Sequence, residues 1–342
     1  MVVLADLPIA IDSWLVNKTV RYRFLTAFLP SFLYRFSSSC HYGTIFTSSL
    51  NASLLAKFFG VSSEQVTIVE FGDTVSVEFA PSHFFEFTAY DSTSLPGGFS
   101  LLISHTVNGK DCSYFYSSVS SHFEPRLRFL PLIDKLYFDT RNINSSFPLF
   151  DNSHTFRLLK SMIQNHSGRR IVLVMSVIGV EPFCTNLLNF LGKHMFISES
   201  RKAIMEVLEL DHEFFIPYAH FNLLDKHDVV VYDLHQFSMK MFHQWMSQDD
   251  NLFVVTINPQ VPLTQCHCVS QIPSHTCRTT PNNIPNTFST TKEFARELIA
   301  TIKPKYKYPL KIHDNLYYNL KPLKQKKEQV TVTSDDEIIT IS

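Results

Sequence analysis

Four soft or borderline metal ligands fall within one short stretch, CHCVSQIPSHTC: Cys266, Cys268, His275 and Cys277, with His267 between the first two thiols. Thiolate and imidazole together hold Zn²⁺ tetrahedrally. The C-x-C…H-x-C spacing is not that of a common zinc finger, so a loop of reduced thiols is the plainer reading and structural zinc the alternative. The chain has 15 histidines, yet none stands in H-x-H or H-E-x-x-H, the spacings that place two imidazoles on one ion. His212, His220, His227 and His235 therefore read as surface or satisfied core residues. No G-x-S-x-G elbow supports a serine nucleophile. Three carboxylates, Asp12, Asp91 and Asp139, would hold Mg²⁺ with waters and substrate phosphates if the fold brought them within about 5 Å of one another.

The composition narrows the function classes. Lys+Arg 30 against Asp+Glu 31 leaves a net charge of −1, which argues against a strongly basic nucleic-acid glove. Only 9 glycines occur in 342 residues, where average usage gives roughly 24. Gly-rich phosphate loops are therefore not expected. Six cysteines are too sparse for a disulfide scaffold. The N-terminus lacks a basic n-region followed by a long apolar core, so no secretory leader is expected and the chain reads as soluble and intracellular. The apolar run Ile171–Leu191 is interrupted by Glu181, Pro182 and Asn186. It reads as a buried strand, a turn and a helix, not a membrane span.

Consecutive strands are predicted at Val66–Phe71, Thr74–Phe79, Phe84–Tyr90 and Phe99–His105, then at Ser113–Ser118 and Lys135–Phe138. Helix Asn51–Phe59 precedes them. From about residue 150 the pattern alternates. Helix Ser153–His166, strand Ile171–Val177, helix Pro182–Gly192, strand Met195–Ile197, helix Ser200–Leu208 and strands Val229–Tyr232 and Leu252–Ile257 suggest a parallel α/β unit. A polar loop, Pro259–Pro285, leads to an amphipathic helix at Thr290–Ile302. Lysines cluster from Lys303 to Lys327, and the last ten residues, TSDDEIITIS, turn acidic and then β-branched, as in a tail carrying short motifs.

Several fragments occur in the order found in one family. They are Pro8-Ile9-Ala10-Ile11-Asp12-Ser13-Trp14, Ile45-Phe46-Thr47-Ser48 with Leu54-Leu55, and Asp91 with Pro96-Gly97. Leu136-Tyr137-Phe138-Asp139-Thr140 and Gly179 with Glu181 follow, then Phe196–Arg201 and the Thr290–Pro304 helix. In this the chain resembles the Apollo/Artemis branch of the β-CASP metallo-β-lactamase DNA nucleases, from about Pro8 to Pro304. The resemblance implies an α/β fold, a metallo-β-lactamase-like αββα sandwich with an inserted β-CASP-like α/β domain. It also implies boundaries: residues 1–155 for the lactamase-like part, 156–280 for the insertion, 281–312 for the return to the first part, and 313–342 for a tail.

The family's chemistry depends on a His and Asp cluster that holds one or two metal ions and generates hydroxide. In this chain the H-x-H-x-D-H register falls on Ala27, Leu29, Ser31 and Phe32. The other family ligand positions fall on Ser94, Val119 and Ser289, and the Lys of the L-G-K-E turn on Val180. Only Asp12 and Asp139 remain. The resemblance therefore implies a pseudonuclease with no catalytic metal, serving as a nuclear scaffold in telomere maintenance or DNA repair. The alternative is an active 5′ exonuclease or phosphodiester hydrolase with a rebuilt carboxylate metal site. Two tail motifs suggest partners. Tyr318, Leu320 and Pro322 read Y-x-L-x-P, similar to a peptide that docks on the TRF-homology domain of telomere proteins. Asp335-Asp336-Glu337 before Ile338, Ile339 and Ile341 resembles a SUMO-interacting strand. DNA binding is expected to be weak or absent, and no membrane partner is expected.

Overall fold

The computed structural model describes residues 2–37, 43–92, 95–118, 125–140, 152–166, 168–176, 178–210, 213–218, 229–258, 282–285 and 292–310. A first, mostly parallel sheet runs in the order β1 (Val2–Val3), β2 (Ile9–Ile11), β3 (Tyr22–Phe24), β4 (Thr44–Thr47), β5 (Val66–Ile68). Between β4 and β5 lies helix α1 (Ser49–Phe59). Its start is set by the Ser48 hydroxyl accepting from the Asn51 amide, and its end by Gly60 at φ 65°. Leu54, Leu55 and Phe58 form its buried face.

The second sheet begins as an antiparallel meander: β6 (Thr74–Ala80), β7 (His83–Asp91), β8 (Phe99–Val107) and β9 (Lys110–Ser117). Asn108 and Gly109, at φ 51° and 73°, turn the chain between β8 and β9. Positive φ at both positions matches the right-handed twist of the flanking strands. The turn sets the register Val107↔Lys110, and hence His105↔Cys112. Strand β10 (Lys135–Asp139) then pairs in parallel with β9.

Residues beyond 150 build a third, wholly parallel sheet. Helix α2 (Asn152–Asn165) leads into β11 (Arg170–Met175), α3 (Glu181–Leu191), β12 (Met195–Ser198), α4 (Glu199–Val207) and β13 (Phe215–Tyr218). Next come β14 (Val229–Asp233), α5 (Met239–Gln248), β15 (Leu252–Asn258) and β16 (Asn282–Pro285). The strand order is β13-β12-β14-β11-β15-β16. Its central strands, IVLVM and VVVY, are apolar at every position because both faces are covered. Leu159, Phe183 and Leu187 from α2 and α3 pack on one face, and Phe242 and Trp245 from α5 on the other.

Helix α6 (Lys292–Ile302) and strand β17 (Tyr306–Leu310) return to the second sheet, where β17 pairs with β10. Phe294, Leu298 and Ile302 bury against Leu102, Phe115, Leu136 and Phe138 on that sheet's outer face. Its inner face meets the first sheet through a phenylalanine cluster. Phe24 stacks on Phe46 at 5.0 Å, and both meet Phe87 edge-on at 4.9 and 5.0 Å. With α1 beyond the first sheet, the layers are helix, sheet, sheet, helix. Much of the unusual Phe content sits here, where large side chains fill the space between two sheets.

The parallel unit runs from α2 at Asn152 to β16 at Pro285, and both outer elements pack on its sheet. Strand β17 carries Lys307 in register with Leu136, so the lysine-rich stretch after residue 303 begins inside the second sheet. Helix α5 was not expected. Its apolar residues Met239, Phe242, Trp245 and Met246 do recur at helical spacing, a periodic signal that the sequence reading passed over. The Ile171–Leu191 run is a strand, a turn and a helix, and no helix among the described residues is long and apolar enough to cross a membrane.

Candidate functional site

The ends of β2, β7, β9 and β10 meet at one edge of the sandwich. Asp12 follows β2 at φ 50° and is fully buried. Its Oδ1 accepts the Thr26 amide (2.8 Å), and its Oδ2 accepts the Thr26 hydroxyl (2.6 Å) and the Tyr116 hydroxyl (2.9 Å). Thr26 Oγ1 lies 3.1 Å from Ser118 Oγ. Burial pushes the Asp12 carboxyl up to about 6, against the pull of these hydrogen bonds. The Tyr116 hydroxyl is pushed up by burial and then by Asp12, with a smaller contribution from Asp139. Asp139 is buried at the end of β10.

The neighbouring segment supplies apolar atoms where the resemblance places ligands. Ala27, Leu29 and Phe32 are all buried, and Ser31 is half-buried. They belong to a compact turn whose Phe32 carbonyl accepts the Trp14 indole N–H at 2.6 Å. Phe28 packs on Phe58 and Phe36 on Phe59, at 5.6 and 4.8 Å, so the turn is bolted to α1. The loop with Pro96-Gly97 docks on the start of α1. The Gly97 carbonyl accepts from Ser48 Oγ (2.7 Å) and Asn51 Nδ2 (3.0 Å). A Cβ on Gly97 would lie 2.8 Å from Ser48 Oγ, so only glycine permits this approach. Asp91 is exposed at the end of β7. Among the described residues, Asp12, Asp91 and Asp139 do not bring their carboxylate oxygens within 4.8 Å of one another as a group of three.

A second buried polar cluster caps the carboxyl ends of the parallel strands. Arg201 of α4 is fully buried, and its Nη2 donates to Asp233 Oδ1 (3.0 Å), the Ser176 carbonyl (2.7 Å) and the Met175 carbonyl (3.3 Å). Glu181, in the first turn of α3, folds back so that the Gly179 amide donates to both its oxygens, at 3.0 and 2.8 Å. Burial raises its carboxyl to about 7, although Arg201 pulls the other way. Val180, at the position of the family lysine, is buried. Ile178, Ala203 and Ile204 from this end of the unit join the sandwich core, and Lys57 of α1 pairs with Glu206 of α4 at 3.1 Å. The cluster therefore lies near the junction of the two units.

A third group was missed by sequence reasoning. Asp6, His105 and Cys112 bring a carboxylate, an imidazole and a thiol within 4.8 Å of one another. His105 and Cys112 are cross-strand partners on β8 and β9, and Asp6 comes from the turn between β1 and β2. Burial lowers the His105 pKa more than Asp6 raises it, which favours the neutral ring. Half of this group was legible: Asn108-Gly109 between two strands fixes the hairpin register. No local signal announces Asp6, which arrives from the other sheet.

Ser94, Val119 and Ser289 lie outside the described residues, as do Cys266, Cys268, His275 and Cys277 and the tail residues Tyr318, Leu320, Pro322, Ile338, Ile339 and Ile341.

No protein-family model matches the chain, and no curated protein matches it. Among solved structures, a protein of unknown function from Enterococcus faecalis V583 is similar over 84% of this chain and 75% of its own, with TM-score 0.52 and 14% identity. That likeness shows a shared fold alone. A more distant likeness is to the Rm3 metallo-β-lactamase (TM-score 0.24, 12% identity, 56% of this chain and 71% of that one). Another is to MEM-A1, a subclass B3 metallo-β-lactamase from a soil metagenome library (TM-score 0.23, 14% identity, 56% and 71%).

Proposed function

We propose that this chain is a non-hydrolytic relative of the β-CASP metallo-β-lactamase nucleases, acting as a nuclear scaffold in telomere maintenance or DNA repair. One observation carries the reading. The residues in the ligand register, Ala27, Leu29 and Phe32, are buried apolar side chains, and the retained Asp12 spends both oxygens on Thr26 and Tyr116. Alanine, leucine and phenylalanine donate no electron pair to a cation. A buried carboxylate already accepting three hydrogen bonds has little capacity left for a cation. In this reading the parallel α/β unit between β10 and α6 is the β-CASP-like insertion. Partner binding falls to the tail, through Tyr318, Leu320 and Pro322 for a TRF-homology domain and Ile338, Ile339 and Ile341 for SUMO.

The test incubates purified chain with 5′-labelled single- and double-stranded DNA and Zn²⁺, Mg²⁺ or Mn²⁺ in turn. No metal-dependent release is expected. Digestion that survives stringent purification and disappears with Asp139→Ala overturns the reading. In parallel, immobilised TRF-homology domain and SUMO are expected to retain the full chain and to lose it when residues 311–342 are deleted. Equal retention of both forms removes the role assigned to the tail.

A further inference from the structure

We propose that Asp6, His105 and Cys112 form a transition-metal site of zinc-like preference, which ties the two sheets together away from the Asp12 edge. The ligand atoms lie within 4.8 Å of one another, and His105 Nε2 stands 3.7 Å from Asp6 Oδ2. Two ligands each about 2 Å from one tetrahedral ion are roughly 3.4 Å apart, so the imidazole and carboxylate already stand close to that separation. A thiol, an imidazole and a carboxylate are a donor set that suits Zn²⁺ over Mg²⁺ or Ca²⁺, which take oxygen ligands.

The surroundings favour a built site over a chance meeting. His105, Cys112 and Tyr114 all point to the inner side of the second sheet, with Leu101, Ile103 and Tyr116. An apolar residue at each position would fill this end of the sandwich, yet three polar side chains converge there. The Tyr114 hydroxyl donates to Asp6 Oδ2 and sits 3.3 Å from His105 Nε2 and 3.4 Å from Cys112 Sγ. Its ring stacks on His105 at 15°. The Tyr114 ring thus holds the imidazole plane, while its hydroxyl stands among the three ligand atoms and is displaced from them when an ion enters. Four residues of strand, about 13 Å, separate His105 from Leu101, the partner of Tyr116, so this site is not the Asp12 edge.

Lys135 provides a built-in discriminator. Its Nζ lies 3.8 Å from Asp6 Oδ2 and 3.4 Å from the Tyr114 hydroxyl, with the ring face 4.8 Å away. An ammonium here repels an incoming cation and competes for Asp6. Removing it should tighten metal binding, whereas a purely structural hydrogen-bond cluster would show no such gain.

The test uses the full chain, stripped with a chelator and titrated with Co²⁺, whose thiolate bond gives a near-ultraviolet charge-transfer band. A band saturating at one equivalent and bleached by Zn²⁺ is expected. It should vanish in Cys112→Ser, persist when Cys266, Cys268 and Cys277 are all changed to Ser, and form at several-fold lower Co²⁺ in Lys135→Met. Should Cys112→Ser fold poorly, Asp6→Asn, in a solvent-facing turn, is expected to weaken binding at least tenfold. Absence of the band, its survival in folded Cys112→Ser, or unchanged affinity in Asp6→Asn overturns the proposal.

Discussion

Glu181→Gln should change how the stability of this protein depends on pH, and by a calculable amount. The Glu181 carboxyl titrates near 7 in the fold and near 4.5 in an unfolded chain, because burial penalises its charge more than Arg201 and the Gly179 amide favour it. Between those values the folded chain holds a proton that the unfolded chain has released. Stability from this group is therefore fully present below about pH 4.5 and is lost as pH rises to about 7. At about 1.4 kcal/mol per pH unit, the gap amounts to about 3 kcal/mol. Glutamine mimics the protonated acid, keeps an oxygen for the Gly179 amide and does not titrate. Set equal near pH 4, the two proteins should diverge as pH rises, with the variant leading by about 3 kcal/mol near pH 8. Asp12 titrates in an overlapping window with the same sign, and His105 with the opposite sign. Both cancel in the difference between the two proteins. Urea unfolding followed by tryptophan fluorescence suits the measurement, since Trp245 lies on the parallel sheet and Trp14 in the sandwich. A constant difference between the two proteins across this pH range would refute the reasoning, because it would mean that Glu181 is ionised in the fold throughout.

Arg201→Met strands the buried Asp233 carboxylate, so a loss of about 3–5 kcal/mol is expected by urea unfolding; adding Asp233→Leu should restore part of it by removing the stranded charge, while the Met175 and Ser176 carbonyls still lack their donor. Asp12→Ala removes the acceptor for three donors and places alanine at φ 50°, and should cost at least about 3 kcal/mol, whereas Asp12→Asn, which tolerates that backbone and keeps one acceptor oxygen, should cost clearly less in the same measurement.

What the sequence by itself determined is local. Period-two runs of apolar residues announced β6 through β9, continuous β-branched runs announced β11, β14 and β15, and the spacing of Phe294, Leu298 and Ile302 announced α6. The residue types at positions 27, 29 and 32 were enough to say that they donate nothing to a metal. Short strands were less legible: β1 and β17 are recognised as strands only by pairing with β2 and β10, partners distant in sequence or set by tertiary contact. The polar clusters were beyond local reading altogether. Tyr116 reaches Asp12 across 104 residues, and Tyr114 reaches Asp6 across 108. Arg201 meets Asp233 only because β12 and β14 lie side by side and α4 follows β12 directly. Periodicity records which face of an element is apolar, but the partner of a buried charge is chosen by sheet order and strand register, which are properties of the whole chain.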